Sequence, residues 1–265
     1  MRNPKLLAIF SLRLKLAMAL ICSFVCLPTQ AQLAELVWAE VGSENNVIEY
    51  SQWDGETWSD PIHIYENSNE IATPSLATQA DGTKVLIWTE QQRRKSVLMW
   101  EKRGSTDEEW SQASVFSRFG NENVSPSLVT DFAGTLWVFW SAQQSDLSDV
   151  FVSKQHAGSW SEPIQVNAVN KVPDIKPLAQ ILEDGTVQVE WQSYDFEVGD
   201  YVLRQKSFSG DVKTSQTQPE GEFADMDPQK VSLPSFVSGQ IYVTMHLPKN
   251  QLIQSYRIEP NVSAR

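Results

Sequence analysis

Cysteine is nearly missing from this chain. Cys22 and Cys26 are the only two, and both fall within the first 31 residues. That segment has a basic front end (Arg2, Lys5, Arg13, Lys15), an apolar run from Leu16 to Leu27, and the small-residue stretch Pro28-Thr29-Gln30-Ala31. This is the layout of a secretory signal peptide cleaved after Ala31. The apolar run is shorter than the roughly 20 residues a spanning helix needs. Bulky pairs, Leu20-Ile21 and Phe24-Val25, precede the two cysteines and argue against lipidation. Residues 32–265 then form a single cysteine-free domain, periplasmic or secreted, with neither disulfides nor a thiolate metal site. A domain of that size builds its own core without such staples.

Positive charge is also scarce. The whole chain carries 21 basic and 33 acidic residues, a net −12; without the four basic residues of the leader it is −16. Such a surface repels phosphate backbones and anionic lipid, so neither nucleic acid nor, after leader cleavage, a membrane is an expected partner. Histidine is rarer still. His63, His156 and His246 fall on separate predicted elements, which excludes a triad or a histidine metal site. No stretch beyond the leader has a sustained helical period, and no glycine-rich loop precedes a helix.

What the chain does have is self-similarity, the mark of a repeat architecture. Leu36-Val37-Trp38-Ala39-Glu40, Leu86-Ile87-Trp88-Thr89-Glu90, Val138-Phe139-Trp140-Ser141-Ala142 and Val189-Glu190-Trp191-Gln192-Ser193 share one pattern, their tryptophans 50, 52 and 51 residues apart. A worn fifth copy surrounds Met245. Other columns keep the same step: Pro74-Ser75-Leu76, Pro126-Ser127-Leu128, Pro177-Leu178 and Pro234-Ser235-Phe236; the turns Asp81-Gly82, Ala133-Gly134, Asp184-Gly185 and Ser238-Gly239; and Trp58-Ser59, Trp110-Ser111 and Trp160-Ser161.

Each full unit holds four strands, at positions A to D. Position B is apolar on both faces, as in Leu136-Trp137-Val138-Phe139-Trp140, which means burial on both sides. Position D alternates, as in Ile62-His63-Ile64, so one of its faces is wet. Buried inner strands and a half-exposed outer strand describe a blade between two neighbours. The expected fold is all-β, a β-propeller of four-stranded antiparallel blades. The strand count is 18, between the 16 of a four-bladed ring and the 20 of a five-bladed one. Five blades, two of them three-stranded, is the favoured count; the alternative is four blades, in which the C-terminal strand A, around Pro234, completes the first blade and leaves a hairpin that packs elsewhere.

The segments Gly134-Thr135-Leu136-Trp137-Val138-Phe139-Trp140-Ser141, Asp149-Val150-Phe151-Val152-Ser153 and Gly158-Ser159-Trp160-Ser161-Glu162-Pro163-Ile164 resemble the BNR, or Asp-box, repeats of the sialidase superfamily. The resemblance covers essentially all of residues 32–265. It implies a propeller, and it implies that ligands meet the face carrying the B–C and D–A loops. The family's Asp-box runs Ser-x-Asp-x-Gly-x-Thr-Trp; here Ser51, Gly55, Thr57 and Trp58 match, Trp53 holds the aspartate position, and Asp54 follows one residue later. Trp110 and Trp160 end two worn copies. The box is expected to be a structural corner, its Asp and Thr bonding the turn's own backbone. Trp38, Trp88, Trp140 and Trp191 are likewise read as core wedges rather than platforms for sugar rings.

For chemistry, the candidate ligand residues are Glu70, Glu122 and Asp174 on D–A loops, Arg93 and Arg94 on one B–C loop, and Tyr194 on another. Three acids near equivalent places would form a ring able to hold Ca²⁺ or to supply paired carboxylates; hydrated turn acids with no cofactor are the expected state. The Phe/Tyr-Arg-Ile-Pro motif that marks the family's first catalytic arginine is not found, and the chain reads Gln32-Leu33-Ala34-Glu35 where it would stand. The expectation is a monomeric, non-catalytic propeller binding a glycan or a protein on its loop face. The alternative is a degenerate or atypical glycoside hydrolase. Asn123-Val124-Ser125 and Asn261-Val262-Ser263 are glycosylation sequons if the chain passes through a eukaryotic secretory pathway.

Overall fold

The computed structural model describes residues 34–54, 56–107, 109–156, 158–209, 241–249 and 252–258; of His156 and of 241–258 it describes the backbone. The expected leader, Gly55, and the last expected A strand around Pro234 lie outside these residues. Among them there is no helix, and so none long and apolar enough to cross a membrane. Among the described residues seventeen strands form four antiparallel sheets.

Sheet I contains β1 (Glu35–Val41), β2 (Asn46–Gln52) and β3 (Ile62–Asn67), extended past β1 by β16 (Ile241–Lys249) and β17 (Leu252–Ile258). Sheet II is β4 (Ile71–Thr78), β5 (Lys84–Gln92), β6 (Lys95–Arg103) and β7 (Ser114–Ser117). Sheet III is β8 (Glu122–Thr130), β9 (Leu136–Gln143) and β10 (Ser148–His156), with β11 (Ser159–Trp160) and β12 (Ile164–Gln165) both on β10. Sheet IV is β13 (Asp174–Ile181), β14 (Val187–Asp195) and β15 (Asp200–Phe208).

The sheets pack face to face in chain order, because position B strands send alternate residues to opposite neighbours. Leu86 and Trp88 of β5 join Val37, Ala39, Ile48 and Tyr50 of sheet I. Val85 and Ile87 of the same strand join Leu136, Val138 and Trp140 of β9. Trp137 and Phe139 of β9 then meet Val187, Val189 and Trp191 of β14. This explains the unbroken apolar runs. β14 differs: its burial alternates, leaving Gln188, Glu190 and Gln192 half-buried on the face turned away from sheet III.

Position A strands share a second device. Each carries a bulge before its proline, at Ala72/Ser75, Val124/Ser127 and Ile175/Leu178. The residue just before the proline takes positive φ: Thr73 (49°), Ser125 (57°) and Lys176 (53°). Proline has no N–H for the ladder, so the chain leaves the sheet there and re-enters. Serines around these bulges link one sheet to the next. Leu128 N donates to Ser75 Oγ at 3.0 Å, Ala179 N to Ser127 Oγ at 2.9 Å, and Lys176 N to Ser141 Oγ at 3.0 Å.

The five-blade count treats the C-terminal strands as a sheet of their own. In the structure β16 pairs with β1 from Glu35↔His246 to Glu40↔Ile241, so they extend sheet I. The reason is the edge of β1, whose residues Leu36 to Ala39 are buried; left bare, it would present a row of unpaired N–H and C=O groups. The A strands lie against one another, β4 on β8 and β8 on β13, while β13 approaches β17 and β16 approaches β4.

Candidate functional site

The B–C and D–A loops gather at one end of the strands. Three B–C loops span four residues: 42–45, 144–147 and 196–199. The fourth is a two-residue turn, because Gln92 pairs with Lys95 and leaves only Arg93 and Arg94 between β5 and β6. Arg93 adopts φ 58°, a conformation that tight hairpin turns normally assign to Gly, Asn or Asp. Gln91 holds the turn, accepting from Ser96 Oγ at 2.7 Å and donating through Nε2 to Arg93 O at 3.3 Å.

Arg118 joins this turn. The sequence reading leaves Arg118 out of the loop face, yet it follows β7 directly and stands in the D–A loop. Buried Ser117 and Asn123 fix that loop. Ser117 Oγ donates to Asn123 Oδ1 at 3.2 Å and accepts from Phe119 N at 3.2 Å, while Asn123 Nδ2 reaches Ser96 O at 3.2 Å. Gln92, Arg93, Arg94, Lys95, Val97 and Arg118 line a cleft of about 760 Å³. An adjoining cleft of about 360 Å³ shares Arg118 and is walled by Phe116, Phe119, Trp160 and Glu162.

The expected ring of three acids does not assemble. Glu70 and Glu122 are exposed, but Asp174 is 1% exposed. The bulge register explains the split. Asp174 aligns with Ile71 and Asn123, one residue later than Glu70 and Glu122, and one step along a strand reverses the side chain's face. Its carboxylate is consumed inside, accepting from Trp191 Nε1 at 2.7 Å, Asn167 Nδ2 at 2.8 Å and Asn170 Nδ2 at 2.7 Å. Asn123 serves Trp140 in the same way, accepting from its Nε1 at 3.2 Å. Asn123 is fully buried, which closes that sequon to a glycan. Among the described residues no group of three or more His, Cys, Asp or Glu stands together as a metal cage.

The strand-B tryptophans Trp38, Trp88, Trp140 and Trp191 are all buried, at most 7% exposed, so their rings fill the sheet interfaces and cannot stack on a ligand. Trp58, Trp110 and Trp160 are half-buried, and each has its Nε1 enclosed without a hydrogen-bond partner. Asp54 caps its turn as a corner residue does. Its carboxylate accepts from Glu56 N and Thr57 N, both at 2.8 Å, and the bond from Thr57, then that from Glu56, holds it below the usual carboxylate range. Tyr194 is half-buried and meets Phe196 and Tyr201 edge-on at 5.3 and 5.4 Å, away from the arginine cleft.

Two buried polar sites lie between sheets I and II. Glu35 accepts from Tyr50 Oη at 2.6 Å, from Thr78 Oγ1 at 2.8 Å and from Lys84 Nζ. Burial, with the Glu35 charge and hydrogen bond, pushes the Tyr50 hydroxyl well above the usual tyrosine range. Glu101, on β6, is 3% exposed and its Oε1 has no partner; burial raises its carboxyl to about 8.

No family model matches the sequence, and no curated protein does. Among solved structures, the chain is similar to the NanB sialidase of Streptococcus pneumoniae, at 17% identity and a TM-score of 0.43 over 64% of this chain and 28% of that one. It is similar to an endo-arabinase from Bacteroides thetaiotaomicron, at 12% identity and a TM-score of 0.47 over 86% and 94% of the two chains. It is also similar to a fucose lectin from Kordia zhangzhouensis, at 12% identity and a TM-score of 0.36 over 52% and 92%. The chain thus spans little more than a quarter of the sialidase. At these values no residue is carried across.

Proposed function

We propose that the chain is an exported, sialidase-like β-propeller of four blades that binds a glycan on its loop face without hydrolysing it. In this reading residues 1–31 are removed on export, and the domain works as a monomer in the periplasm or outside the cell, without a cofactor. β16 and β17 close the ring by completing the first blade. The repeat columns support the architecture, as do the successive contacts of the A strands β4, β8 and β13 and the approach of β13 to β17.

The observation that carries the binding reading is the composition of the loop-face cleft at Arg93, Arg94 and Arg118 and of the cleft that adjoins it. Glycoside hydrolysis needs two carboxyl groups about 5–9.5 Å apart at one site. The larger cleft is lined by no carboxylate and the smaller by Glu162 alone. The loop face is also rich in amides, including Asn69, Gln91, Gln92, Asn121, Gln143 and Gln144. An amide both donates and accepts, which suits a ligand covered in hydroxyls. The test is a glycan array run beside a hydrolysis screen on the purified protein. The expected outcome is retention of at least one glycan with no sugar released. Release that disappears in Glu70→Gln or Glu122→Gln would establish the hydrolase instead.

A further inference from the structure

Arg93, Arg94, Lys95 and Arg118 line one cleft of about 760 Å³ in a chain with a net charge of −12. All four are exposed, and none makes a side-chain hydrogen bond or ion pair with the described residues. Among the described residues no acid lines the cleft with them. Nor does the cleft contain an aromatic ring, so a neutral sugar would find no stacking surface there.

These cations are also held in place. The two-residue turn puts Arg93 at positive φ, where glycine or asparagine is the usual occupant, and the Gln91 side chain secures it. The buried Ser117–Asn123–Ser96 chain of hydrogen bonds anchors the Arg118 loop to β6, the strand that leaves the same turn. Departure from ordinary turn chemistry in a fixed frame is a feature of binding sites. Arginine forks match the paired oxygens of sulfate and carboxylate, and several charges around one groove favour a ligand with several anionic groups.

We propose that this cleft binds an anionic oligosaccharide, its sulfate or carboxylate groups seated on Arg93, Arg94, Lys95 and Arg118. The proposal rests on the glycan-binding reading above and names the ligand class of that site. Calorimetric titration of the purified protein would use a heparin-type sulfated oligosaccharide, an oligogalacturonate, a neutral arabino-oligosaccharide and hexaglutamate. Binding of the sulfated or the uronic ligand is expected, and which of them binds identifies the anionic group. Affinity should fall at least tenfold in Arg94→Gln/Arg118→Gln, and also in the unaltered protein as salt is raised through the screening range. Lys102→Gln, an exposed cation outside the cleft, should change nothing. If the neutral saccharide binds as well as the charged ones and the double variant is unaffected, the charged cleft is refuted while glycan binding stands. If hexaglutamate alone binds, the site is one for acidic peptide and both readings fall. Absence of binding to all four overturns both as well.

Discussion

Glu101 breaks the rule that buried polar atoms are hydrogen-bonded. It shares a strand face with Val97 and Met99, inside the core between sheets I and II, with one carboxyl oxygen unsatisfied. Its carboxyl in the folded protein titrates near 8, against 4.5 ordinarily. The unfolded chain therefore releases this proton first as pH rises. The stabilising effect of the neutral form is complete below about 4.5 and is lost on the way to about 8. Glu101→Gln keeps the shape without the charge. Urea midpoints of the two proteins should nearly coincide at pH 4.5 and separate steadily to pH 8, with the variant more stable by several kcal/mol. Parallel curves over that range would show that Glu101 has no such role. The strand-B tryptophans show the same principle met. Asp174 and Asn123 take the indole protons of Trp191 and Trp140, whereas Ile71 stands at the equivalent position of sheet II and the Trp88 Nε1 has no partner.

At the scale of the element, the A-strand bulge is the unit that repeats. Beside it, an A-strand N–H donates to the previous sheet's serine, so sheets II and III, and III and IV, are tied by a hydrogen bond as well as by apolar packing. Ser127 is 2% exposed, and its loss would strand the Ala179 N–H with no water to replace it. Ser127→Ala should cost about 1–3 kcal/mol, read as a lower urea midpoint at unchanged slope. The proline-serine column is visible in the sequence; its function is not, because the accepted N–H lies 52 residues away in the chain. The bulge also decided the fate of the candidate acids. Spacing to the proline placed Asp174 beside Glu70 and Glu122, and a one-residue difference turned it inward.

For the whole molecule, three apolar clusters join sheets I and II, II and III, and III and IV in turn, and β14 turns Gln188, Glu190 and Gln192 toward the far side of its sheet. In the proposed closed ring, the last junction is the approach of β17 to β13, with β16 paired to β1. Ending the chain at residue 240 should bare the β1 edge and cost several kcal/mol. The truncated protein is expected to scatter light on standing and to unfold at a lower urea concentration; an unchanged midpoint would count against closure through β16.

The sequence by itself determined the strands, their repeat and the burial of one tryptophan per unit. Those follow from local alternation and from a step of about 50 residues, and neither depends on which strand meets which. Only the tertiary structure decided that the C-terminal hairpin joins β1, that Asp174 is interior, and that Arg118 stands with Arg93 and Arg94. Each of these is set by strand pairing or bulge register between distant segments. Pairing partners are selected by the free energy of the assembled sheets, which no local window of residues contains.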